Sequence, residues 1–218
     1  MKNKGLNFFK MFFVLAVLFL IVVFLVSPDA KIRIDTKDYD TLCYVDGIRL
    51  IKFKGDDKDV HVPNHIGIFP VIAIGSSCFE DNQNIETVII PNNVKYIRSF
   101  AFSGCDNLKS VKACRIKSVE RCAFSKCGRL ESVELGDKLK IIEDGAFIDC
   151  EALSYVPSKS SLKEIQAFAF AGCGIKDPGD LSGITVGEFA FDNTPWKNGE
   201  TSDEASTDES KDDNSAEE

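Results

Sequence analysis

Residue types that build catalytic and metal sites are scarce in this chain. Of its 218 residues only two are histidine and one is tryptophan, and no two cysteines have the Cys-x-x-Cys spacing typical of structural zinc sites. No serine–histidine or cysteine–histidine set can be assembled, and no glycine-rich loop carries the lysine and serine or threonine that hold a phosphate. No pair of carboxylates can be given acid and base roles. We therefore predict a protein that is not an enzyme, with no catalytic residues, no cofactor and no metal.

The two histidines are the one arrangement that could suggest a metal. His61 and His65 are four residues apart, a spacing that places two ligands on one face of a helix. Pro63 lies between them and favours a strand that ends in a turn. We expect no metal ligand here.

Positive charge is also in short supply, since 26 lysines and arginines face 34 acidic residues and the net charge is −8. Residues 200–218 contain nine acidic residues, a single lysine and no aromatic or branched aliphatic residue. Such a segment cannot bury enough surface to fold, so we predict a disordered acidic tail at 197–218. A docking peptide or a calcium-binding strip is the alternative. The rest of the chain is nearly balanced in charge and gives no reason to expect a nucleic-acid partner.

One long apolar run stands at the N-terminus. Residues 6–26 have Asn7 and Lys10 among otherwise apolar positions, and this length suits a helix that crosses a membrane. We predict that residues 1–30 are a retained single-pass anchor, with Lys2, Lys4 and Lys10 inside and everything after Val26 outside the cytoplasm. The alternative is a cleaved signal and a secreted protein.

The central part of the chain is an internal repeat. The dipeptide Ala-Phe recurs five times at a regular period, and Cys-Phe precedes it once at the same period. The steps between the six phenylalanines are 23, 22, 23, 23 and 21 residues. The six aromatic positions are Phe79, Phe102, Phe124, Phe147, Phe170 and Phe191. Cysteine follows three positions later at Cys105, Cys127, Cys150 and Cys173, and leucine and valine columns follow at six and nine.

A period near 23 residues predicts a β-rich solenoid of the leucine-rich-repeat type with about six coils. No single unit can bury its own apolar columns, so successive coils must stack into one core. Leu108-x-x-Val111-x-Ala113 then reads as the short parallel strand of one coil. In this interpretation the phenylalanine and cysteine columns are structural core.

The segment "VKYIRSFAFSGCDNLKSV" resembles the BspA-type leucine-rich repeat, whose pattern is V-x-x-I-x-x-x-A-F-x-x-C-x-x-L-x-x-V. The resemblance covers roughly residues 42–196, and within it residues 44–75 resemble the strand-rich cap that often precedes such arrays. We predict a cap at 31–70 and repeats at 71–196. It implies a curved solenoid on an exported protein, usually a surface adhesin or interaction module of a microbe. The match weakens at "GIKDPGDLSG" after Cys173, where we expect a degenerate coil, and Trp196 is expected to cover the open end.

The eight cysteines leave two possibilities open. Stacked coils bring neighbouring Cα atoms to about 5 Å, so disulfides within the repeated column are sterically possible. Buried free thiols that pack as small apolar groups are the preferred interpretation. The cysteines outside the column, for which no pairing is predicted, are Cys43, Cys78, Cys114 and Cys122.

The exposed strand positions are the natural candidates for a partner-binding face. They are Glu86, Thr87, Ile89, Lys109, Ser110, Lys112, Glu131, Ser132, Glu134, Ser154 and Tyr155. Their charges alternate between coils, which could complement a protein surface or simply form ion pairs between coils. Tyr155 is the predicted hot spot. The preferred function is a membrane-tethered module for protein interaction or adhesion, and the alternative is a structural spacer in a cell-envelope assembly.

Overall fold

The computed structural model describes residues 30–198 and five isolated positions before them, Leu15, Val17, Leu18, Val22 and Ser27. Most of the predicted anchor at 6–26 and all of 199–218 lie outside the described residues. Within the part of the chain that is described, no helix is long and apolar enough to cross a membrane. The anchor and the acidic tail therefore stay predictions.

Short strands dominate residues 30–198. In chain order they are β1 (Ile32–Arg33), β2 (Tyr39–Tyr44), β3 (Gly47–Phe53), β4 (Asp59–His61), β5 (His65–Ile66), β6 (Phe69–Ile74), β7 (Thr87–Ile89), β8 (Tyr96–Ile97), β9 (Ser110–Lys112), β10 (Ser118–Val119), β11 (Ser132–Glu134), β12 (Ile141–Ile142), β13 (Glu164–Ile165) and β14 (Thr185–Val186). A 3-10 turn spans Lys159–Ser161, and a short helix, α1, spans Pro195–Asn198. Strands of two or three residues cannot hold themselves together, so each coil depends on its neighbours.

The larger sheet, sheet A, extends through the whole stack. Its order within the described residues is β1-β2-β3-β6-β8-β10-β12-β13-β14, with β5 paired to β6. From β6 onward each coil adds one parallel strand, and Val119 of β10 lies between Ile97 and Ile142 of its neighbours. These three side chains are buried because the second residue of each strand points into the core. The repeated apolar residue five positions before each of the first five phenylalanines forms this wall, whereas Val186, before the sixth, is exposed.

The smaller sheet, sheet B, is parallel and has the order β11-β9-β7-β4 within residues 30–198. Its buried central residues Val60, Val88, Val111 and Val133 are in register along one line. Strand β4 belongs to the segment predicted as a cap, so that segment already contributes a coil to both sheets. Cap and solenoid are therefore one continuous stack.

The six repeated phenylalanines form a column of stacked rings inside the turns. All six are buried, and neighbouring ring centroids lie 4.8, 5.1, 5.1, 5.3 and 5.5 Å apart from Phe79 to Phe191. Each aromatic pair adds stabilisation beyond its buried area, by about 1 kcal/mol. The repeat period thus places one ring in every layer, which answers why the sequence returns to phenylalanine.

Each turn around a buried phenylalanine needs two left-handed residues. Two positions after the phenylalanine, φ is positive at Asp81, Gly104, Lys126, Asp149, Gly172 and Asn193. Two positions before it, φ is positive at Ser77, Phe100, Cys122, Gly145, Phe168 and Phe189. Glycine, asparagine and aspartate suit this conformation, whereas a bulky aromatic residue is unusual in it.

The two ends of the phenylalanine column are closed differently. At the N-terminal end Tyr39 and Phe53, on the β2–β3 hairpin, are buried against Phe79, with the Phe53 and Phe79 ring centroids 4.9 Å apart. At the C-terminal end the Trp196 ring meets Phe191 edge-on, with centroids 5.3 Å apart. Trp196 lies where the sequence predicts an end cover, but 42% of it stays exposed.

Candidate interaction surface

The outer face of sheet B carries most of the side chains predicted to bind a partner. On β7, β9 and β11 these residues flank the buried valines, and Ile89, Lys112 and Glu134 are exposed. Stacking converts residues far apart in sequence into adjacent rows, because Ile89 is in register with Lys112 and Lys112 with Glu134. The resulting surface is a small parallel sheet with one row of side chains from each coil.

The charges on this face pair with one another across coils. The carboxylate of Glu86 accepts from Lys58 Nζ at 2.7 Å and from Lys109 Nζ at 2.6 Å. These hydrogen bonds, Lys109 first and Lys58 second, lower the pKa of Glu86 to about 2. Lys112 and Glu134 form a looser exposed pair at 3.4 Å. Four of the five charged residues of the predicted face are thus in ion pairs between coils, and Glu131 is in none among the described residues.

The fourth row of the predicted face does not lie on a strand. Ser154 and Tyr155 are not in a strand, and within the described residues sheet B ends at β11. Pro157 lies two positions after Tyr155 and cannot donate a backbone hydrogen bond to a ladder.

The Tyr155 side chain takes the place of the missing strand. Its hydroxyl accepts from the Val133 N–H at 2.8 Å and donates to the Val133 carbonyl at 3.2 Å. A single phenol therefore satisfies both backbone groups that β11 would offer to another strand. Its ring remains 37% exposed, and a role in binding stays a prediction.

The repeated cysteines form a second ladder inside the turns. The four are buried, and each thiol donates at 3.0 Å to the carbonyl of the phenylalanine one coil earlier, as in Cys105 to Phe79 and Cys173 to Phe147. Burial raises the pKa of the Cys105 and Cys150 thiols far above the ordinary range, which keeps the donor proton in place. These thiols therefore link the coils by hydrogen bonds as well as by packing.

The remaining cysteines and the histidines occupy scattered positions. Cys43 and Cys78 are buried, Cys122 is half-buried and Cys114 is exposed. His61 lies in β4 and His65 in β5, in a strand–turn–strand arrangement rather than on a helix. Among residues 30–198 and the few described before them, no three histidine, cysteine or acidic side chains cluster as a metal site would require.

Exposed aromatic residues form a feature that the sequence interpretation missed. Phe100, Phe168 and Phe189 occupy the left-handed position before the buried phenylalanine, and their side chains are largely exposed. The rings of Phe168 and Phe189 stack with centroids 5.2 Å apart. The same column holds serine, cysteine or glycine in the other coils, and that contrast was readable from the sequence.

A row of exposed lysines also follows the repeat, and it was not predicted from the sequence. Lys95, Lys117, Lys140 and Lys163 stand seven positions before successive buried phenylalanines, and all four are exposed. Lysine is common on protein surfaces, so its recurrence alone predicts no function, although these lysines recur with the same period as the buried phenylalanines.

The repeats of this chain match a known family. The model of the BspA type leucine-rich repeat region matches six copies over residues 72–197. The chain belongs to the BspA-type leucine-rich repeat family. A search of curated proteins finds no significant match.

Solved structures share the fold of this BspA-type chain. A leucine-rich cell surface protein of Faecalibacterium prausnitzii is 22% identical, with a TM-score of 0.57 over 76% of this chain and 53% of its own. The leucine-rich repeat protein of T. pallidum is 19% identical, with a TM-score of 0.55 over 72% and 82%. Pneumococcal vaccine antigen PcpA is 21% identical, with a TM-score of 0.55 over 75% and 48%. The chain thus spans about half the length of the first and third of these proteins.

Proposed function

We propose that this BspA-type protein is a membrane-tethered module, displayed outside the cytoplasm, that binds a protein partner through the outer face of sheet B and does no catalysis. The observation that carries the proposal is Ile89. This side chain is 42% exposed in the middle of a flat parallel sheet, where the alternation of the strand directs it to solvent. Exposed apolar patches rimmed by polar side chains mark interaction sites, and Ile89 with the cleft beside it is the apolar part of such a patch.

A cleft next to Ile89 strengthens this assignment. It measures about 310 Å³ and is lined by Asn64, Ile89, Ile90, Pro91, Asn92, Lys112 and Cys114. A partner side chain could enter this cleft while neighbouring residues contact Ile89, as hot-spot residues do in small interfaces. The ion pairs among Lys58, Glu86 and Lys109 hold the surrounding face in one arrangement, which reduces the entropy lost on binding.

Site-specific crosslinking in intact cells tests the surface. A photo-reactive amino acid replaces Ile89 in one variant and Lys126, in an exposed turn outside the cleft, in the control. We expect one defined crosslinked protein from position 89 and none from position 126. Adding Glu131→Lys, which breaks no ion pair within the described residues, should reduce the yield several-fold. Equal crosslinking from both positions would reject this face as the binding site.

The proposed topology is tested separately. The apolar run at 6–26 and the three lysines within the first ten residues support an inside N-terminus. Protease added to intact cells should then remove the acidic tail, while residues 1–26 stay with the membrane fraction. A protein that begins near residues 27–31 in the medium would instead make it a secreted module. A tail that is protected until lysis would contradict both.

A spacer in an envelope assembly is the second candidate, and the C-terminal end of the stack supports it. Val186 on the edge strand β14, Phe189 and Trp196 are all more than two-fifths exposed. An apolar edge of this kind could be covered by another subunit of an assembly. Replacing the N-terminal anchor with an unrelated apolar helix should disrupt a complex if the protein is such a spacer.

A further inference from the structure

The four lysines at 95, 117, 140 and 163, hereafter the lysine row, occupy the same position in four successive coils. The Lys117 N–H donates to the Lys95 carbonyl at 2.8 Å, that of Lys140 to Lys117 at 3.0 Å, and that of Lys163 to Lys140 at 2.9 Å. Backbones joined in this way are one strand spacing apart, about 4.8 Å. The row therefore presents four ammonium groups over roughly 14 Å, the length of three such spacings.

The lysine row is not neutralised by the protein. Among the described residues none of its four ammonium groups is in a salt bridge, in contrast to the lysines that flank Glu86 on sheet B. The Glu164 carboxylate beside Lys163 instead accepts from Gln166 at 2.8 Å. Like charges on neighbouring strands repel one another, so folding stability does not explain the row. An external anion would.

A groove lies along the first half of the lysine row. It has a volume of about 650 Å³ and is lined by His65, Asn92, Asn93, Lys95, Arg115, Lys117 and Lys138. Arg115 and Lys138 thus join the row, and of these two only Lys138 has an acidic partner among the described residues, Asp137 at 3.2 Å. The asparagines and the histidine add hydrogen-bonding groups beside the cations. Such a mixture suits a ligand with both negative charges and hydroxyl groups.

We propose that the lysine row and its groove bind a linear acidic polysaccharide, one that carries carboxylate or sulfate groups along its chain. The spacing of the lysines is close to the length of one pyranose unit, so successive sugars can each meet one coil. The site lies on the segment that enters sheet A, and its groove adjoins the cleft beside Ile89 at Asn92, which lines both.

The groove does not fit a single-stranded nucleic acid. Such ligands are held by aromatic platforms on which bases stack. Tyr96 is the aromatic residue beside Lys95, and the Arg98 guanidinium covers its ring at 5.1 Å from the centroid. An anionic membrane is a poorer match too, because it would need basic groups on a convex or flat surface and not in a groove.

Binding is tested with the full-length protein in a neutral detergent. The probes are heparin, polygalacturonate and uncharged dextran, with a single-stranded oligonucleotide and phosphatidylserine vesicles as competing ligand classes. The test variant combines Lys95→Gln, Lys117→Gln and Lys140→Gln. The matched control combines Lys37→Gln, Lys126→Gln and Lys176→Gln, which removes the same charge from exposed lysines outside the groove.

We expect heparin or polygalacturonate to bind while dextran does not. The row variant should bind about 30-fold more weakly, since an exposed ion pair is worth a factor of about 3 and three are lost. The control should change the Kd less than 3-fold, and the melting temperature of the row variant should not fall, because repulsion is relieved. Equal losses in the two variants would overturn the proposal, as would tighter binding of the oligonucleotide or the vesicles than of either polysaccharide.

Discussion

The N-terminal and C-terminal halves of this solenoid are built from the same repeat but finished differently. Up to β11 each coil contributes to both sheets, Glu86 is paired with lysines of both neighbouring coils, and a buried hairpin closes the end of the phenylalanine column. Beyond β11 sheet A continues alone to β14, and a half-exposed tryptophan covers the last ring. A coil can therefore stay in the stack without a strand in sheet B, provided that it contributes a ring to the buried phenylalanine column.

The largest effect is expected at the closed end. Phe53→Ala removes a buried ring that packs on both Tyr39 and Phe79, and it opens a cavity over the whole column. We expect a loss of about 3–5 kcal/mol in the free energy of unfolding, measured by urea denaturation. Phe189→Ala, which removes an exposed ring at the other end, serves as the control and should cost far less. Similar losses from both would show that the two ends are equally closed.

A smaller effect is expected from the C-terminal cover. Trp196→Ala removes an edge-on contact with Phe191 from a side chain that is 42% exposed. The free energy of unfolding should fall by about 1–2 kcal/mol in the same denaturation experiment. Because the last coil would open before the rest, hydrogen exchange should accelerate at β14 and remain unchanged at β8. Uniform acceleration along the stack would contradict the idea of a weak C-terminal end.

The boundary between the halves depends on one hydroxyl group. Tyr155→Phe keeps the ring but leaves the Val133 N–H and carbonyl without their partner. We expect a loss of about 1 kcal/mol. Exchange of the Val133 amide should accelerate, while Tyr44→Phe should leave that amide unchanged. Unchanged protection at Val133 would mean that the phenol does not close the sheet.

The smallest effect concerns the ion pairs of the N-terminal half, and it depends on pH. The pKa of Glu86 is lowered to about 2, so its stabilising contribution is complete above the unfolded value near 4.5 and is lost as pH falls through about 2. The difference in melting temperature between wild type and Glu86→Gln should therefore be greatest near neutral pH and vanish near pH 2. Glu131→Gln is the control and should show no such difference. A pH-independent difference would exclude the ion pair as its cause.

Much of the fold follows from the sequence because burial repeats at a fixed period. The phenylalanine column, the cysteine column and the strand around Val111 can be read directly, since each residue type suits one layer of the same turn. The end of sheet B could not be read in this way. The valine column continues to Val156, and only the structure shows Tyr155 turning inward to Val133 in place of a strand.

The candidate surfaces were harder to predict than the core. Glu86 and Lys109 were identified as exposed and of opposite charge, but whether they face a partner or each other depends on side-chain positions across coils. The lysine row was hidden for a different reason. Lysine is tolerated anywhere on a surface, so its recurrence carries meaning only after stacking places four such residues on one line.

The sequence by itself determined the family, the number of coils and the identity of the core, because a stack can bury its apolar columns only if every layer repeats them. The tertiary structure alone decided how the exposed residues combine. In the structure Glu86 pairs with two lysines of neighbouring coils, and Tyr155 closes the edge of sheet B. Ile89 lines a cleft, and four lysines form one row. Contacts between coils join residues more than twenty positions apart, and no local preference of the chain fixes which exposed side chains meet across that distance.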